Sequence, residues 1–175
     1  MVTTAESTLD RIQEHLRPLE KALDEVNFSL TQLEKKLDEV RAYLTKIELE
    51  ALDLARLIRE RKHEINRLRH KIKKHDHLLR EIDPETAPQE YRRILEERDE
   101  MAVRLEEQLR ELERLREQYD ELIDRESALL GEEVELEQEY DQLKARYDKL
   151  LKQISRLARA LERRVRDIRA KYYAT

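Results

Sequence analysis

The sequence predicts an all-α protein, a long antiparallel helical hairpin in which two helices pair as a two-stranded coiled coil. Three observations lead to this prediction: the composition, two long stripes of apolar residues, and a break with prolines between them. Charged residues make up 44% of the 175 residues, while glycine occurs once. A compact domain contains about a quarter charged residues and about 7% glycine. This composition is typical of long helices or of disorder, and the regular stripes favour helices.

The first stripe predicts a coiled-coil helix over residues 1–82. Alternate steps of three and four residues from Leu9 pass through 22 positions and end at Ile82, and all of them except Arg61 and His75 are apolar. A period of 3.5 residues keeps one stripe directed at a partner helix when both helices supercoil. The 3.6-residue period of a straight helix would drift from this path by about 20° per heptad. The stripe therefore indicates a paired helix.

The second stripe predicts another coiled-coil helix over residues 89–175. It begins at Tyr91, and 18 of its 24 positions are apolar. We refer to the stripe positions of both helices, a and d in heptad notation, as the seam. The polar exceptions on the second stripe are Arg98, Gln108, Glu126, Glu133, Arg164 and Lys171.

The segment 83–88 predicts the turn between the two helices. Pro84 and Pro88 are both unfavourable inside a helix, and each disfavours the helical backbone conformation of the residue before it. The two stripes are also out of phase across this segment. Thr86 with Gln89 three residues later is the pattern of a capping box, so we expect Thr86 to cap the second helix.

Pairing the helices favours a hairpin over the alternative, a parallel rod broken at the prolines. The stripes come into step when residues whose numbers sum to 173 are placed opposite each other, as with Leu44 and Leu129. Under this pairing, charged residues beside the seam form both attractive and repulsive pairs. Glu34 with Glu137 is one pair of like charges that is expected to repel, and Glu64 with Glu111 is another.

Two basic blocks face acidic segments in the predicted hairpin. Residues 56–80 hold ten Lys or Arg and three acids, and their partners 93–117 hold nine acids and six Arg. Residues 144–171 hold eleven Lys or Arg and three acids, and their partners 2–29 hold six acids and three bases. Exposed ion pairs contribute only about 0–1 kcal/mol each, so the turn carries more weight than the charges.

The second helix has an apolar face that is wider than a two-stranded seam needs. Its e positions include Leu109, Leu130 and Leu151, among other apolar residues. A face of a, d and e residues suits a bundle of three or more helices. We therefore expect a homo-oligomer, with two hairpins dimerising into a four-helix bundle, or docking on another helical protein. These three leucines are candidate partner-binding residues.

Four polar residues interrupt the seam near the turn: Arg61, His75, Arg98 and Gln108. One interpretation is that they set the register of the two helices. The other is that the turn end is a docking site, with Arg61, His75 and Arg98 as partner-binding residues. Under the predicted pairing His75 faces Arg98, a pair suited to receive a carboxylate from a partner.

Pro18 and Gly131 are the other irregularities of the helices. The first stripe keeps its phase across Pro18, which predicts a continuous helix with a kink near Pro18; a helix that starts at Pro18 is the alternative. Gly131 lies between two acidic seam positions and weakens the helix by about 1 kcal/mol. It is interpreted as a tolerated weakness or as a hinge.

The sequence indicates no catalytic site, no cofactor and no metal. His63, His70 and His77 recur every seven residues, about 10 Å along a helix, which is too far apart for one ion. Cysteine is absent, and a two-helix seam has no closed pocket. We therefore predict a non-enzymatic structural, scaffolding or adaptor protein that mediates protein–protein interaction, with protein partners that the sequence does not identify.

The alternative function is a binding module for nucleic acid or an anionic surface through the basic blocks 56–80 and 144–171. No run of about 18 apolar residues predicts a membrane span. The first ten residues lack the basic and apolar regions of a signal peptide, and the lack of cysteine favours a cytoplasmic location.

Overall fold

The computed structural model describes residues 4–173, which form two long helices packed against each other as an all-α helical hairpin. Helix α1 spans Thr4–Glu81 (78 residues) and helix α2 spans Pro88–Tyr173 (86 residues); no strand occurs in the described range. The predicted all-α helical hairpin is confirmed, which excludes the broken parallel rod. The coiled coil and the pairing of two hairpins stay predictions. Helix α1 runs through Pro18 without a break. The kink near Pro18 stays a prediction.

The ends of the helices carry residues that suit the helix dipole. Helix α2 begins at Pro88, where the missing N–H costs nothing because the first helical N–H groups have no intrahelical partner. Glu90 lies in the first turn of α2 and Lys171 in its last, and Arg80 lies in the last turn of α1. Acids near the N-terminus and bases near the C-terminus stabilise a helix.

Asp83 organises the turn between the helices. Its Oδ1 accepts a hydrogen bond of 3.0 Å from the backbone N–H of Glu85, and its carbonyl accepts bonds from Ala87 N (3.0 Å) and Thr86 Oγ1 (3.3 Å). The Ala87 carbonyl accepts a bond of 3.1 Å from the N–H of Tyr91. Ala87 thus precedes the first residue of α2, so the prediction that Thr86 caps the helix is wrong. The Thr86 hydroxyl instead donates back to Asp83.

The chain divides into two compact units, and each contains part of both helices. We call Tyr43–Leu130 the turn unit, and Met1–Ala42 with Gly131–Thr175 the terminal unit. In the turn unit, Ile47, Ala51 and Leu122 form a buried cluster against which Leu54, Tyr119 and Leu129 pack. Two pairs of opposed residues in this cluster, Ala51 with Leu122 and Leu54 with Tyr119, have numbers that sum to 173, the predicted register.

Burial within each unit follows the predicted seam. The buried apolar residues of the terminal unit are all on α1, whereas those of the turn unit come from both helices. Every buried residue in the described range lies at an a or d position of the two stripes, because these positions alone face the other helix. They are Val26, Leu30, Leu33, Leu37 and Val40 in the terminal unit, and Leu44, Ile47, Ala51, Ile65, Leu68, Ile94, Leu112, Leu115 and Leu122 in the turn unit.

Candidate partner-binding surface

The four polar seam residues near the turn contact groups of the same chain. Arg61 and Gln108 are partners: Nη1 of the arginine donates a hydrogen bond of 3.0 Å to Oε1 of the amide. Both side chains are half-buried on opposite helices. The bond joins residues whose numbers sum to 169, because the long arginine side chain spans about one turn beyond the residue opposite it. This contact gives the two helices a preferred register, which supports the register interpretation of these residues.

His75 contacts two acceptors. Its Nδ1 lies 3.0 Å from the backbone carbonyl of Lys71, one turn earlier in α1, and its Nε2 lies 3.0 Å from Oε2 of Glu97 on α2. The imidazole side chain is about one-fifth exposed, at 21%. A neutral imidazole carries one N–H and donates to one of these oxygens, whereas an imidazolium donates to both.

Arg98 contacts two aspartates. Its Nε donates a hydrogen bond of 3.0 Å to Oδ1 of Asp76 on α1, and its Nη1 lies 3.5 Å from Oδ1 of Asp99. The hydrogen bond to Asp76 and the charge of Asp76 raise the pKa of Arg98 above its ordinary value. Desolvation opposes this shift, and Asp99 adds a smaller effect in the raising direction. The guanidinium therefore stays charged.

His75 and Arg98, which we expected to face each other, each bind a neighbouring carboxylate instead. His75 binds Glu97, the residue before Arg98, and Arg98 binds Asp76, the residue after His75. The carboxylate that we expected from a partner thus comes from within the hairpin. A partner at this end of the turn unit would have to compete with these contacts, and its binding stays a prediction.

Acidic pairs that were expected to repel have other partners. Glu64 forms an ion pair of 3.5 Å with Arg67, and Glu111 one of 2.6 Å with Arg114, each within its own helix. Such contacts lie between residues three apart on a helix surface. They offset the repulsion expected between the two glutamates in the turn unit.

In a polar groove of the terminal unit, the other two glutamates that were expected to repel, Glu34 and Glu137, each have a partner. Arg41 contacts Glu137 at 3.1 Å and Glu133 at 3.9 Å, and Tyr140 donates a hydrogen bond of 3.1 Å to Oε1 of Glu34. The bond to Glu34 raises the pKa of Tyr140 above its ordinary value, with desolvation and the charges of Glu34 and a neighbouring aspartate acting in the same direction. Sequence analysis missed this network, although tyrosine at a seam position is its signal.

The predicted apolar e positions of α2 are exposed. In the turn unit Leu109 is 37% exposed and Leu130 is 46% exposed. They belong to a row of e residues one heptad apart, interrupted by Arg116, which we call the apolar row: Leu95, Ala102, Leu109, Ile123 and Leu130. In the terminal unit Leu151 is 38% exposed, followed at the same heptad position by exposed Ala158 and half-buried Val165. All three predicted leucines are therefore accessible to a partner.

The two basic blocks differ in their contacts. In block 56–80 of the turn unit, Arg61 and Arg67 bind side chains of the same chain. In block 144–171 of the terminal unit, Lys144 lies 4.9 Å from the ring centroid of Tyr147. Among the described residues of this second block, no Lys or Arg makes an ion pair. Neither the acids of this block nor the acids among the described residues of 7–29 form an ion pair with its Lys and Arg side chains.

The described residues contain no group of three or more His, Cys, Asp or Glu side chains that could hold a metal ion. Neither described helix has a stretch that is both long and apolar enough to cross a membrane. The grooves that line the hairpin are open to solvent along its flanks, as in the terminal-unit groove of Arg41 and Tyr140. The chain matches no protein-family profile, and comparisons with curated proteins and with solved structures give no match.

Proposed function

We propose that the protein is a non-enzymatic coiled-coil scaffold or adaptor that mediates protein–protein interaction through the e-position leucines of α2. The observation that carries this proposal is the exposure of Leu109, Leu130 and Leu151 beside a seam whose apolar residues are buried or half-buried. Single exposed leucines are common on protein surfaces, but repeated exposure at one heptad position suits a further helix. The open grooves of the hairpin suit the binding of an elongated partner better than the binding of a small substrate.

The test compares proteins captured from an extract of the source cells by the full chain and by two triple variants. The first variant carries Leu109→Glu, Leu130→Glu and Leu151→Glu. The control carries Gln118→Glu, Gln142→Glu and Gln153→Glu, which add the same charge at exposed positions outside the e row. We expect partners that bind the wild type and the control and are lost from the leucine variant. Equal capture by all three proteins would contradict the proposal.

A second candidate function is binding of nucleic acid or an anionic surface by the block 144–171. The observation that favours it is that the described Lys and Arg side chains of this block make no ion pair. Clustered bases bind phosphates with an affinity that falls steeply as salt rises. The test is a titration with duplex DNA, RNA and anionic vesicles at increasing salt, with Arg156, Arg159 and Arg163 changed to Gln as the variant. We expect salt-dependent binding that the variant weakens, and no binding at low salt would exclude this function.

The proposed location is the cytoplasm, because the chain has no cysteine and so uses no disulfide for stability. Fractionation of the source cells with an antibody against the chain tests this location directly.

A further inference from the structure

One side of the turn unit carries five of the nine exposed large apolar residues of this unit. Heptad positions e and b of both helices lie on this side, which we call the e/b face, and positions g and c lie on the other. The groove between Glu50 of α1 and Gln118 and Arg125 of α2, all at g positions, identifies the second side. The e/b face carries the apolar row of α2, with exposed Leu52 and half-buried Ala55 of α1. On the g/c side, α2 is polar at every g position from 97 to 125, and the exposed large apolar residues are Tyr43 and Leu78 of α1.

The two edges of the e/b face carry opposite charges. The charged residues on these edges are exposed, except for half-buried Asp76. The e and b positions of α1 between 45 and 80 hold five bases and two acids, and those of α2 between 92 and 130 hold four acids and two bases. The bases are Arg59, Lys62, Arg69, Lys73 and Arg80 on α1, and the acids are Asp99, Glu106, Glu113 and Asp120 on α2. The face thus has a basic edge and an acidic edge, with the apolar row beside the acidic one.

We propose that the e/b face of the turn unit binds the same face of a second copy of the chain, related by a two-fold axis parallel to the helices. This arrangement stacks α1 of each copy on α2 of the other, so the basic edge of one copy meets the acidic edge of its partner at both sides. It buries the apolar row between four helices, as a wide a/d/e face requires. A second copy is favoured over another protein because the face is complementary to itself.

The axial positions of the charges support this orientation. Under the register of the buried cluster, Arg59 lies level with Glu113, and Arg69 lies level with Glu106. A two-fold axis parallel to the helices keeps these levels the same in the partner copy. An axis in the interface plane but perpendicular to the helices would instead stack α1 on α1, with five bases of each copy against each other. Like charges brought together disfavour that orientation, and complementary charges select the first.

This inference rests on the proposed function, since it names the first partner of an interaction protein. The mass of the full chain is measured by light scattering and sedimentation, and we expect twice the 21.3 kDa of one chain. Leu109→Glu with Ile123→Glu should give monomers. Gln118→Glu with Ala128→Glu, on the g/c side, should leave the dimer unchanged. A wild-type monomer, or equal dimerisation by both variants, would overturn the inference. Circular dichroism melting of each variant establishes that it is folded.

Charge exchange tests the orientation. Arg59→Glu with Arg69→Glu creates an acidic edge on α1, which should raise the dimer Kd by about tenfold through repulsion from the partner's α2. Adding Glu106→Arg and Glu113→Arg to the same chain makes the edge of α2 basic, so that it again attracts the changed edge of α1. This fourfold variant should have the wild-type Kd. If the fourfold variant pairs with the wild type instead of with itself, α1 stacks on α1 and the proposed orientation is wrong.

Spin labels provide an independent measure of orientation, because the chain has no native cysteine. A label on Glu85→Cys lies in the turn, and an axis parallel to the helices places the two turns of a dimer at the same end. We expect one short distance between the labels, and its absence in a dimer would overturn the inference. If the wild-type chain is monomeric but still captures partners through Leu109 and Leu130, only the proposal of self-pairing is contradicted. If the chain forms the dimer but captures no other protein, the proposed adaptor function is contradicted and self-assembly remains.

Discussion

Each polar residue that interrupts the seam near the turn has a partner within the chain. Sequence analysis identified the positions of Arg61, His75 and Arg98, because a break in a regular stripe is visible in the sequence. It did not identify the partners, since a long side chain reaches acceptors up to one turn away from the residue opposite it. Arg98 therefore binds Asp76 where the register alone placed it against His75. Such choices depend on side-chain conformation, which the heptad pattern does not specify.

The bond between Arg61 and Gln108 is expected to specify register at a cost in stability. Gln108→Leu alone leaves the half-buried guanidinium without its acceptor and should lower the free energy of unfolding by about 1 kcal/mol. Arg61→Leu combined with Gln108→Leu fills the same positions with apolar groups and should equal or exceed the wild type. Urea unfolding measures both changes. A double variant less stable than Gln108→Leu would show that the pair stabilises the fold directly.

Tyr140 should make the terminal unit sensitive to alkaline pH. The hydrogen bond to Glu34 holds the proton on the phenol, so the folded state has the higher pKa. The unfolded chain then loses this proton at a lower pH than the folded chain does. The stability that Tyr140 adds to the folded state is fully present below the unfolded pKa of about 10 and is lost as pH rises through the folded pKa.

Melting temperatures between pH 8 and pH 11 test this linkage. The wild type should lose stability with rising pH more steeply than Tyr140→Phe, which has no phenolic proton. Tyr147→Phe is the matched control, because this second seam tyrosine of the same unit has no resolved contact with an acid, and it should follow the wild type. Identical slopes for Tyr140→Phe and the wild type would contradict the assignment.

At the scale of the helices, the pattern of the sequence was sufficient for the type and position of each element. The seam positions predicted from spacing include every buried residue of the described chain, because two packed helices bury only the stripes that face each other. The start of α2 was less predictable. Thr86 matched the capping pattern, yet Ala87 precedes the helix, because Asp83 draws both Ala87 N and the Thr86 hydroxyl to its carbonyl. Competition among local acceptors does not follow from residue type alone.

Gly131 is expected to be a local weakness of α2. It has a helical conformation, and a Cβ atom added to it would meet nothing within 4 Å. Gly131→Ala should therefore raise the free energy of unfolding by about 0.5–1 kcal/mol, through backbone entropy and helix propensity. Ala128→Gly, at another exposed position of α2, should lower it by a similar amount. If Gly131→Ala stabilises the chain but abolishes partner capture, the glycine serves as a hinge and not merely as a tolerated weakness.

At the scale of the whole molecule, the hairpin followed from the sequence, whereas the partner did not. Two stripes in step across a turn determine which residues each helix buries. The remaining surface, with exposed Leu109 and Leu130 and the unpaired bases of 144–171, is compatible with more than one class of partner. Specificity depends on a second surface that the sequence of this chain does not contain. The self-complementary charges of the e/b face are the exception, since there both surfaces belong to the same sequence.

Local opening of the turn unit should begin near its turn. Leu44, Ile47 and Ala51 are buried, as are Leu112, Leu115 and Leu122 on the other helix, whereas the seam residues Ile72, His75 and Leu79 are only half-buried. Segments with fewer buried apolar contacts open at a lower free energy than the rest of a fold. In hydrogen exchange of the chain without partners, amides of 72–82 should therefore exchange faster than those of 44–51.

This order of exchange also tests whether the turn end is a docking site. A partner that inserts between the helices near His75 and Arg98 must displace Glu97 and Asp76, which requires the local opening described above. Its binding should then protect 72–82 and 91–101 more than 44–51. Glu97→Gln weakens the contact to His75 and should make that opening easier, so it should raise the affinity of such a partner. Protection confined to the e/b face, with no effect of Glu97→Gln, would show that partners bind the outer surface and leave the seam closed.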